Sequence, residues 1–312
     1  VNNKEDAEKV VERLENASME ITRVDKKEKK RNPVPPFITS TLQQEASRYY
    51  GFSSARTMSI AQGLYEGIDL GSDEREGLIT YMRTDSVRVA PEAIQEARKY
   101  VKDTYGENYL PNEARKFSTK KTAQDAHEAI RPTNLTHTPE SLKEHLTIDQ
   151  HKLYILIWRR FIATQMMPAV YETVSADVST DNGLILRVTG STLKFPGFLA
   201  LYEEKEDEEE TESKTSENKL PQLEKGQRVE KDSILSDQAF TKPPPRFSEA
   251  SLVKELEKSG IGRPSTYATI MNKIQSREYT VKESGRLIPT ELGKVIAQLL
   301  ETSFKQIMNI SF

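Results

Sequence analysis

The chain has 312 residues, 36% of them apolar and 30% charged, with no cysteine. That length suggests two or three domains with real cores, in a soluble, charge-rich class. Without cysteine, disulfides, thiolate catalysis and thiolate zinc sites are excluded, and a reducing cytoplasm is the expected setting. No apolar run approaches the roughly 20 residues needed to span a bilayer, and Val1–Asp6 lacks the apolar stretch of a signal peptide.

The net charge of −3 hides a segregation. Residues 203–212 read EEKEDEEETE, eight acids against one lysine, so this run carries −7 and the remainder +4. Residues 21–60 hold eight bases and three acids (+5), and residues 241–312 hold eleven bases and seven acids (+4). Such basic segments suit a phosphate-backbone partner. Taken alone, charge favours the plainer reading, solvated helix faces.

In chain order, Lys4 to Glu15 reads as a helix with Ala7, Val10, Val11 and Leu14 on one side. A basic stretch follows and ends at Pro33-Val34-Pro35-Pro36, a boundary signal. Thr39 to Tyr50 is helical with Gly51 suited to its end, and Ser53 caps a second helix to about Glu66. Gly67 to Gly77 is loop-like, and Leu78 to Met82 reads as a buried strand entering a loop. Pro91 opens a helix that Gly106 closes. Lys116 to Ala123 is polar and expected to be exposed. His151 to Gln165 is an apolar helix with the only tryptophan, Trp158, ended by Pro168.

The period then changes to two: Val170, Glu172, Val174, Ala176 and Val178 alternate. Asp181-Asn182-Gly183 predicts a hairpin with a type I′ turn, Leu184 to Val188 the return strand, and Thr192 to Leu201 further strand. Residues 203–219 are expected to be a disordered acidic loop, with strands resuming near Arg228 and Ile234. Ser248 caps a helix with Leu252, Val253 and Leu256 inward. A turn at Gly260–Pro264, a helix from Ser265 to Ser276, a small hairpin over 279–288 and a helix from Thr290 complete the chain. Helix, turn, helix, wing is the order of a winged helix, though short helix pairs also occur in proteins that never touch DNA.

Several chemistries find no support. There is no GxxxxGK[ST] loop, and His127-Glu128 lacks the second histidine of HExxH. With His127, His137, His145 and His151 scattered, a zinc site is not expected. Tyr81 is more informative. In an extended segment it shares a face with Arg83 and Asp85. A phenol with its pKa near 10 is inert at neutral pH. An adjacent guanidinium both stabilises a phenolate and grips phosphate through paired N–H donors. A half-buried packing tyrosine is the competing reading. His127 and Arg131, four apart, are placed to hold phosphate on one helical edge, or to form a surface pair. Arg263, Ser265 and Thr266 sit at a helix N-terminus, a ready phosphate site. Arg277, near that helix's far end, is a second cation or simply exposed.

PPFITSTLQQEAS, MSIAQGLYEGI, GLITYMRTDS, AHEAIRPT and RFSEASLVKELEKSGIGRPSTYATI occur in this order. Together they resemble the bacterial type IA DNA topoisomerases, specifically topoisomerase I, from about Pro35 to Phe312. The resemblance implies a multidomain α+β fold, part of a toroid. In that layout residues 1–36 and 168–240 form a β-rich arch, 37–167 a helical tyrosine domain, and 241–312 a winged-helix-like part of the base. It implies that Tyr81 is the nucleophile forming a 5′-phosphotyrosyl link and that Arg83 positions the scissile phosphate. Asp85, His127, Arg131, Arg263, Ser265, Thr266 and Arg277 then line the DNA path.

The partners implied are single-stranded and negatively supercoiled DNA, with no ATP and no membrane, for a monomer in the nucleoid-bearing cytoplasm. Mg²⁺ belongs to the family's TOPRIM domain, whose glutamate and DxDxE cluster match nothing here, so no metal residue is expected in this chain. The C-terminal zinc-ribbon or basic tail is likewise unmatched. From its Val1 start and Phe312 end the chain is expected to be a piece of a longer protein, unable to relax DNA alone. A non-catalytic duplex reader and a tyrosine recombinase, which forms a 3′-phosphotyrosyl link, are the alternatives.

Overall fold

A computed structural model describes residues 3–71, 75–118, 127–205 and 220–309. In chain order the elements begin with α1 (Lys4–Glu15), β1 (Met19–Arg31), α2 (Thr39–Tyr50) and α3 (Ser54–Glu66). β2 (Ile68–Asp69), β3 (Arg75–Glu76), α4 (Pro91–Tyr105) and α5 (Ile148–Ala163) follow. Then come β4 (Ala169–Thr180), β5 (Ile185–Phe195), β6 (Arg228–Val229) and α6 (Glu249–Lys258). The last are α7 (Tyr267–Ser276), β7 (Thr280–Glu283), β8 (Arg286–Pro289) and α8 (Glu291–Ser303). No helix among the described residues is long and apolar enough to cross a membrane.

The described residues fall into two compact units. One lies within Val1–Asn32, Pro168–Gly197 and Glu209–Pro244; the other lies within Pro33–Met167, Phe198–Glu208 and Pro245–Phe312.

The first unit is built on one antiparallel sheet in the order β5-β4-β1-β6. The basic stretch, unassigned by its sequence pattern, is the long strand β1. It pairs with β4 from Met19↔Thr180 to Arg31↔Ala169. Both faces of its later half are solvated, so no apolar alternation marks it. Its order comes from main-chain bonding and cross-strand charge: Lys194 on β5 reaches Glu28 at 3.2 Å and Glu172 at 3.1 Å. The β4–β5 turn differs from the type I′ expected. Only Gly183 takes positive φ (84°). Thr180 N–H donates to Leu184 O (2.9 Å), and Gly183 N–H to Thr180 O (3.1 Å). That is a three-residue loop with a left-handed glycine at its end. β5 stops at Phe195, and Gly197–Ala200 is a 3₁₀ turn rather than more strand. No strand forms near Ile234.

In the second unit the helix ends follow their expected chemistry. Ser53 Oγ accepts from Arg56 N–H (3.2 Å). Gly51, at φ 67°, ends α2 and donates to Ala46 O and Ser47 O. Thr147 and Gln150 form a capping box at the start of α5. Trp158 is buried edge-on against Tyr100 of α4, centroids 4.9 Å apart. α6, α7 and the β7–β8 hairpin close over Val253, Tyr267, Met271 and Leu287. The hairpin turn carries positive φ at both Ser284 (46°) and Gly285 (79°), the two-residue type that matches strand twist. α6 is fixed to the N-terminus of α3 by Glu249, only 3% exposed. One carboxylate oxygen accepts from Ser54 N–H at 3.0 Å, and the other pairs with Lys282 at 3.0 Å.

The acidic residues 206–219 and the polar residues 119–123 fall outside the described residues. The loop expected over 67–77 contains the β2–β3 pair. It ends at Gly77, where a Cβ would come 2.6 Å from Tyr65 O. Gly77→Ala is therefore expected to destabilise the fold by about 1–3 kcal/mol through overpacking. Urea denaturation with an unchanged slope measures it; a shift under about 0.5 kcal/mol contradicts this packing.

Candidate active site

The segment from Leu78 to Ser86 is extended but has no ladder. Only Ile79 bridges to another segment, at Pro132, so the expected strand is a single crossing. Its backbone groups are taken up by neighbours in the same unit. Leu78 N–H donates to Leu64 O (2.8 Å), and Thr133 N–H to Leu78 O (3.1 Å). Thr80 N–H donates to Arg131 O (2.9 Å), and Thr80 Oγ1 to Ala129 O (2.7 Å). Past Tyr81 the support changes side: Thr39 N–H donates to Thr84 O (3.0 Å). Met82, Thr84 and Ser86 are buried while Arg83 is exposed and Asp85 half-buried. This is the period-two alternation the sequence implied.

Tyr81 itself is half-buried between two rings. Tyr65 of α3 stands on one side, centroids 5.4 Å apart and planes at 65°. His127 is the other neighbour, at 5.2 Å and 41°. Tyr65, 40% exposed, was not singled out by sequence. It sits sixteen positions upstream, and only the close approach at Gly77 brings it back.

Arg83 reaches across to the start of α7, its Nη1 3.4 Å from Ser265 O. Thr266 precedes α7, its hydroxyl accepting from Arg263 N–H (2.8 Å) and lying 3.1 Å from Arg263 O. The exposed Arg263 guanidinium donates to Gly262 O (2.9 Å). Asp85 and Arg263 line a cavity of about 620 Å³ with Thr41, Glu257, Lys258 and Tyr267. The Tyr267 phenol is pushed up, first by burial and then by Glu257 and Asp85, with Arg263 opposing. The structure thus brings Tyr81, Arg83, Asp85, His127, Arg263, Ser265 and Thr266 around one surface. Arg277 is not among them: it caps the far end of α7, its N–H on Lys273 O (3.1 Å).

The helical edge expected to carry His127 and Arg131 is not formed. Residues 127–129 are irregular, and Ile130 bridges to Phe37. Arg131 precedes Pro132, whose ring disfavours helix at the preceding residue. Arg131 Nε donates to Glu128 (2.8 Å) and Nη1 to Pro132 O (3.0 Å). Among the described residues no group of three or more His, Cys, Asp or Glu gathers as a metal site requires.

Beside the cavity lies a buried ionic network. Arg160, which lines it, donates from Nε to Pro35 O (2.6 Å) and from Nη1 to Tyr202 Oη (2.9 Å) and Glu204 (2.8 Å). Tyr202 Oη in turn donates to Glu45 (3.0 Å), which also pairs with Arg48 (3.1 Å).

A family described as DNA topoisomerase matches residues 1–312. The chain belongs to the bacterial type IA DNA topoisomerases. It is similar to the solved structure of full-length topoisomerase I from Thermotoga maritima, at 37% identity and TM-score 0.83. The match covers 100% of this chain and 50% of that chain, so the chain spans half the length of the structure it matches.

Burial raises the Glu45 carboxyl above its usual range, Glu204 adds to this, and Arg48 and Arg160 oppose it. A folded-state pKa above the unfolded one means the folded protein binds more protons in that window. Stability therefore falls as pH rises from the unfolded value through the folded one. Glu45→Gln is expected to flatten that fall in a pH series of denaturation midpoints. An unchanged slope contradicts the assignment.

Proposed function

We propose that the whole protein relaxes negatively supercoiled DNA without ATP, by transient cleavage of one strand, passage and religation. The phenol oxygen of Tyr81 attacks a backbone phosphorus, the strand's 3′-hydroxyl leaves, and a 5′-phosphotyrosyl link stores the bond energy for religation. What carries the reading is Tyr81 on a pinned extended segment, with Arg83 two residues on and bonded to Ser265 at the start of α7. Preorganised cations and N–H donors facing a developing phosphorane charge are the expected source of rate.

In this reading Arg83 holds the scissile phosphate. Arg263, Ser265 and Thr266 hold backbone phosphates at the α7 terminus, and Arg277 holds one farther along. His127 and Arg131, the latter oriented by Glu128, flank the path, and Asp85 stands at the cavity wall. The antiparallel sheet of the first unit supplies the arch of the family's toroid. Residues 37–167 supply the tyrosine domain, and residues 241–312 a winged-helix portion of the base. Mg²⁺ is held by a TOPRIM domain outside these 312 residues, so the 312-residue chain alone does not relax supercoiled plasmid.

The direct test is trapping of covalent DNA on the whole protein. Wild type yields an adduct with single-stranded oligonucleotide, and Tyr81→Phe yields none; an adduct in Tyr81→Phe removes the nucleophile assignment. Binding supplies a second test. Arg263→Ala is expected to reduce the slope of log K against log salt by about one, with single strands preferred over duplex. Sequence-specific duplex preference favours the non-catalytic reader instead.

A further inference from the structure

We infer that Thr39 is a positioning residue for Arg83, acting through the backbone on either side of it. The inference rests on the proposed role of Arg83 at the scissile phosphate. Thr39 opens α2 within the PPFITSTLQQEAS motif. Its side chain is 0% exposed. The hydroxyl is not a helix cap: Ile38 holds the capping position, and its N–H is taken by Thr41 Oγ1 at 3.0 Å. Among the described residues, the hydrogen bonds of the Thr39 hydroxyl run to the loop bearing Arg83.

Oγ1 lies 2.7 Å from Met82 O, 3.0 Å from Thr84 O, and 2.9 Å from Thr84 N. A hydroxyl has one proton and two lone pairs. It therefore donates to one carbonyl, the nearer being Met82 O, and accepts from Thr84 N–H. Thr84 O keeps a partner in Thr39 N–H at 3.0 Å. Three backbone groups flanking Arg83 thus end on one residue, forty-four positions away in sequence.

The consequence lies in what is left unfixed. Met82 and Thr84 are buried and held, while Arg83 between them is exposed, so its Cα is set by its neighbours' bonds. From that fixed root the guanidinium reaches Ser265 O at 3.4 Å. Valine matches threonine in shape and would fill the same space. It offers no proton to Met82 O and no acceptor to Thr84 N–H. The loop would then be free to relax about Arg83, and displacements of an ångström at a reacting group cost up to about a hundred-fold in rate.

The test is a double-mutant cycle on the whole protein. Single-turnover cleavage of an end-labelled single-stranded oligonucleotide is followed over hours, so that slow rates are measured. Thr39→Val is expected to lower the cleavage rate about ten-fold while oligonucleotide affinity stays within about two-fold. Thr39→Ser, which restores the hydroxyl, is expected to recover most of that loss. In an Arg83→Ala background Thr39→Val is expected to cost less than about two-fold, because its effect runs through Arg83. If Thr39→Val does not fold, judged by its melting transition, Thr39→Ala takes its place in the cycle. A wild-type rate in the Thr39 variant, or its full loss repeated in the Arg83→Ala background, overturns the inference alone. A wild-type rate in Arg83→Ala by itself strikes the underlying role of Arg83, and the two failures are thereby distinguished.

Discussion

A backbone segment that leaves secondary structure must still place every buried N–H and C=O. From Leu78 to Ser86 many of these groups find partners without a sheet. Leu64 and the 129–133 segment serve the residues before Tyr81, and Thr39 serves those after it. A buried backbone group left without a partner costs about 1–3 kcal/mol, so the segment is held at several independent points. That satisfaction lets a half-buried phenol and an exposed guanidinium stand two residues apart on a fixed track. The packing of α3 against Gly77, the approach of His127 and the reach of Arg83 to Ser265 all depend on it.

The surroundings divide the remaining work. One side of the track is aromatic: Tyr65 and His127 limit where the Tyr81 ring can swing. The other side is charged and mixed in sign, with Arg263 and Lys258 facing Asp85 and Glu257 around one cavity. A purely basic wall would attract any polyanion. A mixed one attracts phosphate at its cationic points and repels it at the others. Glu249 and the Arg160–Tyr202–Glu45 network hold the walls together from behind with buried charges that are paired. Removing one partner from such a set is costly because it strands the other.

Much of this was legible where the chemistry is local. Ser53, Ser248 and Thr290 each cap the helix their position implied, and Gly51 ends α2 as a left-handed glycine, whereas α5 starts at Ile148 behind a Thr147 cap, three residues before the expected His151. The period-two burial of 82–86 was legible for the same reason. β1 was not, because its later half is solvated on both faces and shows no apolar rhythm. The Asp181-Asn182-Gly183 turn was located correctly but takes three residues, since only its glycine adopts positive φ. The helical edge at His127–Arg131 failed against Pro132, a rule present in the sequence but outweighed by spacing. Tyr65 and Thr39 lie beyond local reading altogether. Each meets the Tyr81 loop across a gap in sequence, and neither residue type carries a signature of that role.

In the proposed reaction the Tyr81 phenol becomes bonded to the 5′ side of a broken DNA strand. Trapped adduct from the whole protein, digested with trypsin and sequenced by mass spectrometry, tests it directly. The DNA-bearing peptide is expected to contain Leu78–Arg83, with the phosphate on Tyr81 and the nucleotide attached through its 5′ position. A modification on another residue, or a 3′ attachment as in a tyrosine recombinase, contradicts it.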